Sequence, residues 1–425
     1  MDTTIALSPT TLVAVLMSLA AGFAYVNIRV TRLPMTIGLM LISLLFAGGL
    51  LLAEALGVPA GATAESIVSS IDFSDLLLEG ALGLLLFAGS IHVNFNDLAE
   101  QWAEIGLFAT LGVVLSTMLV GVATWAVSDI LHLGLAPLEC FLFGALISPT
   151  DPIAVLGILK RAGAPQNLET KITGESLFND GIGVVVFLVL YKMAYSGELI
   201  GLSEVSFIFV EEVLGGLGLG LVGGFICYRL LKSVNHPQVE IMVTLALVMG
   251  LYASAQALHF SGPLASVVAG LLIGNRGRAF AMSEATRQHL DTFWELVDDI
   301  LNALLFTLIG LEALVVSLEM NHIIAGLAAV VVALAARTIS ISVPVALLVH
   351  WRNFGKGTIR VMAWGGLRGG ISVALALSLP ATPGREVLLT MTYVVVAFSI
   401  LVQGLTIKPL VEKLAVTRQP VPDAH

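Results

Sequence analysis

The sequence predicts an all-α polytopic membrane protein with about 13 transmembrane helices. Its 425 residues are 57% hydrophobic and 12% charged, with a mean hydropathy of +0.97, a combination that soluble globular proteins do not have. Apolar runs of about 20 residues, long enough to cross a hydrocarbon core of ~30 Å, recur along the whole chain. The alternating pattern of membrane β-strands is missing from the sequence, so helices are expected to satisfy the backbone in lipid.

The apolar runs predict thirteen spans, of which the ninth is short. They cover residues 8–28, 34–56, 76–95, 104–127, 135–160, 172–194, 206–230, 240–258, 262–275, 292–316, 323–350, 358–379 and 387–409. No basic residue precedes the first run, so we expect it to remain as a span and not to be cleaved as a signal peptide. Residues 415–425 are expected to form a short cytoplasmic tail.

The positions of Lys and Arg predict the orientation of these spans. Of the 20 basic residues, all but four lie after odd-numbered spans or in the C-terminal segment. Lys192 and Arg385 fall on the opposite face, while Arg337 and Arg368 lie within spans. The positive-inside rule therefore places the N-terminus outside and the C-terminus in the cytoplasm.

Two spans are interrupted by residues that do not favour a helix, and they occupy equivalent positions in the chain. The fifth is broken at residues 148–152 (SPTDP) and the twelfth at residues 365–370 (GGLRGG). We therefore divide a transmembrane domain, residues 1–414, into a first repeat (about 8–194), a linker span (about 206–230) and an inverted second repeat (about 240–409). Paired broken helices that cross at the membrane midplane are typical of the binding site of secondary transporters.

The break in the fifth span places a carboxylate beside freed backbone carbonyls. Pro152 provides no amide donor and disfavours a helical conformation at Asp151, which follows Thr150. Ionisable residues inside a membrane usually mark an ion or proton pathway, and these oxygen ligands suit a small hard cation. The alternative is a helix kink with an Asp that faces a loop.

The sixth span carries a second group of polar residues. Ser176 and Asp180 share one helix face, and Glu175 and Asn179 share another about 100° away. We expect Ser176 and Asp180 to face the break and bind the cation, and Glu175 and Asn179 to face other helices and hold the geometry. The alternative is that all four are ordinary hydrogen-bonding residues between helices. Either Arg337 or Arg368 is able to neutralise Glu175.

The chain resembles the monovalent cation:proton antiporter family, in particular the prokaryotic electroneutral sodium/proton antiporters related to sodium/proton exchangers. The resemblance rests on five segments that follow one another in the right order. They are SPTDPIAVLGIL, GESLFNDGIGVVVF, LAAR at residues 334–337, WGGLRGGISVALALSLP and LVQGLTIKPLVEKLAV.

This resemblance implies a homodimer in the inner membrane of a prokaryote, with a dimerisation half and a six-helix core. It implies exchange of Na⁺ or Li⁺ for H⁺ through Asp180, with Asp151, Thr150 and Ser176 nearby. It also implies that Glu175 pairs with Arg337, which leaves Arg368 to the crossing of the broken spans. Electrogenic relatives have Asp-Asp where this chain has Asn179-Asp180, so the resemblance favours electroneutral exchange.

The function that we expect is therefore cation/proton antiport by alternating access, in which the cation and the proton compete for Asp180. No cofactor or enzymatic activity is expected, no ATP-binding GxxxxGK[ST] motif occurs, and a net charge of -10 argues against nucleic acid as a partner. The alternatives are a K⁺/H⁺ antiporter of the same fold, a cation channel, and an intramembrane aspartyl protease that uses Asp151 and Asp180.

Overall fold

The structure, a computed structural model, describes residues 8–58, 60–69, 71, 73–152, 155–157, 159, 164–195, 201–316, 319–352, 354–355 and 357–414. Within these residues it is helical and contains no β-strand, only one isolated antiparallel bridge between Asp151 and Leu367. Nine of the described helices are long and apolar enough to cross a membrane. The predicted fold class is thereby confirmed. The predicted tail, residues 415–425, lies outside the described residues.

Every predicted span coincides with a helix or a broken helix. In chain order the spans are Thr10–Thr31, Met35–Ala55, Phe73–Ile91, Trp102–Ile130, the broken fifth span that begins with Pro137–Ile147, Gln166–Tyr195, Leu202–Ser233, Pro237–Leu258, Gly262–Leu272 continued by Ile273–Gly277, Glu284–Leu311, Met320–Leu348, the two halves Thr358–Gly365 and Gly370–Leu377, and Pro383–Lys413. After the break in the fifth span, residues 155–157 and 159 are again helical. We refer to these helices by their span numbers.

Local sequence signals explain where several of these helices begin. The side chains of Ser8, Ser261, Ser283 and Thr382 each accept a hydrogen bond from the backbone N–H three residues later, at the start of the first, ninth, tenth and thirteenth spans. Such caps satisfy amide groups that have no partner within the helix. Pro237 begins the eighth span, where a missing N–H costs nothing.

The tenth span begins earlier than the apolar run predicts, at Glu284 instead of residue 292. Its first turns are polar, so hydropathy alone does not extend the span to them. They are held to the eighth span by buried polar contacts, in which Thr286 Oγ1 donates to Glu240 Oε1 at 3.1 Å and Trp294 Nε1 donates to Thr244 Oγ1 at 3.2 Å. The helix therefore continues beyond its apolar part.

The spans pack into two groups. The fourth, fifth, sixth, eleventh, twelfth and thirteenth contact one another closely and form the core group, whereas the first to third and seventh to tenth form a second group. Within the core group the fourth and fifth spans approach closely, because a Cβ atom at Gly144 would lie 2.3 Å from the Thr117 carbonyl oxygen. Small residues that allow such contact are typical of membrane helix packing.

Candidate functional site

The breaks of the fifth and twelfth spans meet and form hydrogen bonds with each other. The backbone N–H of Asp151 donates to the Leu367 carbonyl at 2.8 Å, which creates the isolated bridge between the two spans. Both residues interrupt a helix, so each has backbone groups that lack the usual partner four residues away. The crossing satisfies part of this need and places the side chains of Thr150 and Asp151 inside the protein.

Arg368 holds the carbonyl end of the first half of the fifth span. It is 3% exposed, and its Nη1 donates to the carbonyls of Ser148 at 2.6 Å and Pro149 at 3.0 Å. The carbonyl end of a helix carries a partial negative charge, so a fixed guanidinium is favourable there. Arg368 is therefore located at the crossing, and the described hydrogen bonds of its side chain are to backbone oxygens.

The thirteenth span supports the same crossing through two polar residues that the sequence analysis did not identify. The backbone N–H of Arg368 donates to Ser399 Oγ at 2.9 Å, Ser399 Oγ donates to Gln403 Oε1 at 2.8 Å, and Gln403 Nε2 donates to the Trp364 carbonyl at 2.9 Å. Both side chains are buried. Ser399 and Gln403 thus satisfy backbone groups that the break in the twelfth span leaves open. The sequence signal that could have identified Ser399 and Gln403 was the presence of two polar residues, four positions apart, in an otherwise apolar span.

The sixth span faces the break with Ser176 and Asn179. Thr150 Oγ1 lies 3.1 Å from Ser176 Oγ and accepts a hydrogen bond from Asn179 Nδ2 at 2.8 Å, while the Thr150 N–H donates to Asn179 Oδ1 at 3.3 Å. The expectation that Asn179 faces other helices is therefore wrong. Ser176 and Asn179 are three positions apart, and such positions are neighbours on a helix surface. Thr150 is therefore within reach of both the Ser176 and the Asn179 side chain.

Glu175 points from the sixth span to Arg337 of the eleventh. The two side chains form a double ion pair, Nη1 to Oε1 and Nη2 to Oε2, the latter at 2.9 Å. Glu175 is fully buried and Arg337 is 6% exposed. Arg337 also donates to the Met362 carbonyl at 3.3 Å, so this pair joins the sixth, eleventh and twelfth spans. Of the two arginines considered, Arg337 is the one that neutralises Glu175.

Asp151 and Asp180 line one cavity of about 450 Å³ between the two groups of helices. The core group contributes the break of the fifth span, the sixth span and the second half of the twelfth, and the opposite wall comes from the third and tenth spans. Asp180 is 5% exposed and Asp151 is half-buried. The cavity extends to His92, which directly follows the third span on the predicted cytoplasmic side, and to Glu295 of the tenth span.

Other polar groups in this cavity were not expected from the sequence. Asp298 and Asn302 of the tenth span and Ser372 of the twelfth line it. Asn302 Oδ1 and Ser372 Oγ are buried and have no hydrogen-bond partner among the described residues. Buried polar atoms usually have a partner, so these two oxygens are available to water or to a cation. Together with Asp151 and Asp180 they make the cavity rich in hard oxygen ligands.

Gly369 allows Asp151 to occupy its position at the crossing. A Cβ atom at Gly369 would lie 2.5 Å from Asp151 Oδ2 and 2.8 Å from its Cβ. We predict that Gly369→Ala displaces this carboxylate and raises the apparent KM for the transported cation by roughly tenfold or more, since a shift of about 1 Å is costly in a preorganised site.

The matched control for this prediction is Gly89→Ala. Gly89 lines the same cavity, and a Cβ atom there would meet nothing within 4 Å. Transport assays in vesicles that contain equal amounts of each variant give the two KM values. Equal KM values for the two variants would contradict the role of Gly369.

Comparison with known proteins finds similarity over almost the whole chain. The family model described as sodium/hydrogen exchanger, transmembrane, matches residues 13–413. The Na⁺/H⁺ antiporter NhaP of Pseudomonas aeruginosa is 47% identical over 95% of this chain and 96% of its own length, and NhaH of Halobacillus dabanensis is 36% identical over 95% and 97%. The solved structure of the sodium proton antiporter MjNhaP1 from Methanocaldococcus jannaschii at pH 8 matches with a TM-score of 0.72 at 20% identity, covering 95% of this chain and 99% of that one.

Proposed function

The chain belongs to the transmembrane sodium/hydrogen exchanger family, and from that premise we propose that it exchanges Na⁺ or Li⁺ for H⁺ across the plasma membrane of a prokaryotic cell. The family resemblance predicted from five motifs is confirmed, and a member of this family is a transporter and not an enzyme. The cation and the proton are its substrates, and no cofactor takes part.

The observation that supports this proposal best is the position of Asp180. Asp180 lines a cavity between two groups of helices, beside the break of the fifth span, and Asp151 lines the same cavity. Oxygen ligands from Asp180, Asp151, Thr150 and Ser176 suit a small hard cation. In the proposed cycle Asp180 holds either the cation or a proton, and occupancy by one excludes the other.

Alternating access follows from the location of the cavity at the boundary between the core group and the second group. Both broken spans belong to the core group, and Arg368 and Arg337 tie them to neighbouring core helices. We propose that the core group moves as a unit when Asp180 is occupied. The cavity would then open toward the opposite face while the ligands keep their arrangement.

We propose that each cycle moves no net charge. Asn179 is neutral, Glu175 is paired with Arg337, and the two lysines of the sixth span, Lys171 and Lys192, lie near its two ends. One carboxylate that exchanges one proton for one monovalent cation gives an electroneutral step. Asp151 or Asp298 would add charge movement if either released a proton in the cycle.

We further propose that the N-terminus faces the outside and the C-terminus the cytoplasm, and that two copies form a homodimer. The distribution of basic residues supports the orientation, because Lys and Arg favour cytoplasmic loops. The family resemblance supports the dimer. Cysteine labelling from each side of the membrane and the mass of the purified protein in detergent test these two points.

Exchange in proteoliposomes with an internal pH dye tests the function. We expect Na⁺ or Li⁺ to drive proton movement, and the initial rate to stay unchanged when valinomycin and K⁺ impose a membrane potential. Proton movement driven by a K⁺ gradient in the absence of valinomycin would indicate a K⁺/H⁺ antiporter. Na⁺ flux with no coupled proton movement would indicate a channel, and a rate that follows the potential would contradict electroneutral exchange.

A further inference from the structure

A groove on the outer surface of the core group is separate from the transport cavity. It lies between the eleventh span, the first half of the twelfth and the end of the thirteenth, and has a volume of about 550 Å³. We call it the basic groove, because its lining includes Arg360 and Lys413 together with Leu334, Thr338, Trp364 and Thr406. This volume lies within the range of small-molecule sites.

The charge in the basic groove has one sign. Arg360 and Lys413 are both exposed, and neither lies within ion-pair distance of a carboxylate in the part of the chain that the structure covers. The described lining contains no acidic residue. The neighbouring pair of Lys408 and Glu412, 4.0 Å apart on the same helix, is not part of the lining. The groove therefore favours an anion at the end where its two basic residues lie.

The rest of the groove is suited to hydrocarbon. Trp364 donates from Nε1 to Thr406 Oγ1 at 2.9 Å, so the polar atom of the indole is satisfied and its ring forms part of an apolar wall. Lys413 and Thr406 lie on one helix about 10 Å apart along its axis, at ~1.5 Å per residue. One hydrocarbon leaflet is ~15 Å thick, so a groove of this length with its basic end at the membrane surface would stay within a single leaflet.

We propose that the basic groove binds an anionic phospholipid of the leaflet on the basic face, which the distribution of Lys and Arg assigns to the cytoplasm. Its phosphate group contacts Arg360 and Lys413, and one acyl chain lies along the wall that Trp364 and Leu334 form. This combination of an anion and a long apolar chain matches both ends of the groove, whereas a soluble phosphate would leave the apolar wall uncovered.

The lipid would stabilise helices that hold the transport site. Leu334 and Thr338 flank Arg337 on the eleventh span, and Trp364 provides the carbonyl that Gln403 binds at the break of the twelfth. A lipid in the groove holds the first half of the twelfth span against the eleventh and thirteenth. It would therefore increase the thermal stability of the core group, whichever ion is transported.

Lipid binding to the purified full-length protein tests this inference. Native mass spectrometry gives apparent dissociation constants for dioleoyl phosphatidylglycerol and dioleoyl phosphatidylcholine, which differ only in the headgroup. We expect the wild type to prefer the anionic lipid by at least about tenfold, and Arg360→Gln/Lys413→Gln to lose roughly 25-fold in affinity for it, at roughly fivefold per basic residue. The melting temperature in detergent should rise with the anionic lipid in the wild type and stay unchanged in Arg360→Gln/Lys413→Gln.

Two further variants separate the groove from surface charge in general. Arg229→Gln/Lys232→Gln removes two exposed basic residues of the seventh span on the same predicted face, and should bind the anionic lipid as the wild type does. Thr338→Trp fills the groove and keeps both charges, and should weaken binding of the anionic lipid as much as the double variant does. Equal affinity of the wild type for the two lipids would overturn the proposal, and so would an unchanged affinity in Thr338→Trp or Arg360→Gln/Lys413→Gln.

Discussion

Asp180→Asn is expected to abolish Na⁺-dependent proton movement, to the level of empty liposomes. The amide has nearly the same shape as the carboxylate, but it holds neither a dissociable proton nor a charge to attract Na⁺. Because Na⁺ and H⁺ then no longer replace each other at this position, the Na⁺ flux and the H⁺ flux cannot be coupled. Proton flux under an outward Na⁺ gradient, measured at equal protein content, gives the result.

The control is Asp129→Asn, an exposed carboxylate at the end of the fourth span and outside the cavity. It should exchange at the rate of the wild type. Asp180→Asn should show the size-exclusion elution profile of the wild type and a melting temperature at least as high. The reason is that it removes a buried charge without changing the side-chain volume. Sodium-dependent proton flux that persists in Asp180→Asn would show that another carboxylate carries the coupled ions.

Glu175→Ala is expected to lower the stability of the protein more than Asp180→Asn does. It leaves the Arg337 guanidinium buried without its acidic partner, and the loss of one member of a buried ion pair costs on the order of 3–5 kcal/mol in soluble proteins. Arg337 would still reach the Met362 carbonyl, so part of its hydrogen bonding remains. Thermal unfolding in detergent, followed by tryptophan fluorescence, measures the difference.

The double variant Glu175→Leu/Arg337→Leu is the matched control for this effect. It removes both charges and keeps an apolar side chain at each position, so its melting temperature should lie above those of Glu175→Ala and Arg337→Leu. This order follows because the penalty comes from the unpaired charge and not from the loss of an attraction. Equal melting temperatures for Glu175→Ala and Asp180→Asn would contradict a structural role of the pair.

The fold was predictable because hydropathy and charge placement act locally along the chain. An apolar run of about 20 residues has few other structures available in lipid, so the spans followed from the sequence with errors at their ends. The tenth span shows the limit. Its first turns from Glu284 are polar, and the contacts with Glu240 and Thr244 come from a helix 46 to 50 positions earlier, which no hydropathy window detects.

The site was predictable where a residue type conflicts with its surroundings. Asp151, Glu175 and Arg337 are charged residues in apolar spans, so each requires a partner or a function on the grounds of its sequence position alone. The roles of Ser399 and Gln403 were not predictable, because each binds backbone of the twelfth span more than 30 positions away in the sequence. The side of the sixth span that Asn179 faces depends on how the break is positioned, so the prediction from helix geometry alone placed Asn179 on the wrong side.

In the proposed cycle Na⁺ and H⁺ exclude each other at Asp180, and proton release on Na⁺ binding tests this competition most directly. Purified protein in a weakly buffered detergent solution is mixed with NaCl, with choline chloride as the ionic-strength control, while a pH dye reports released protons and radioactive sodium reports binding. We predict about one proton released for each Na⁺ bound by the wild type, since a single carboxylate exchanges one ligand for the other, and none released by Asp180→Asn. Sodium binding to the wild type without proton release, or equal release from Asp180→Asn, would contradict this competition.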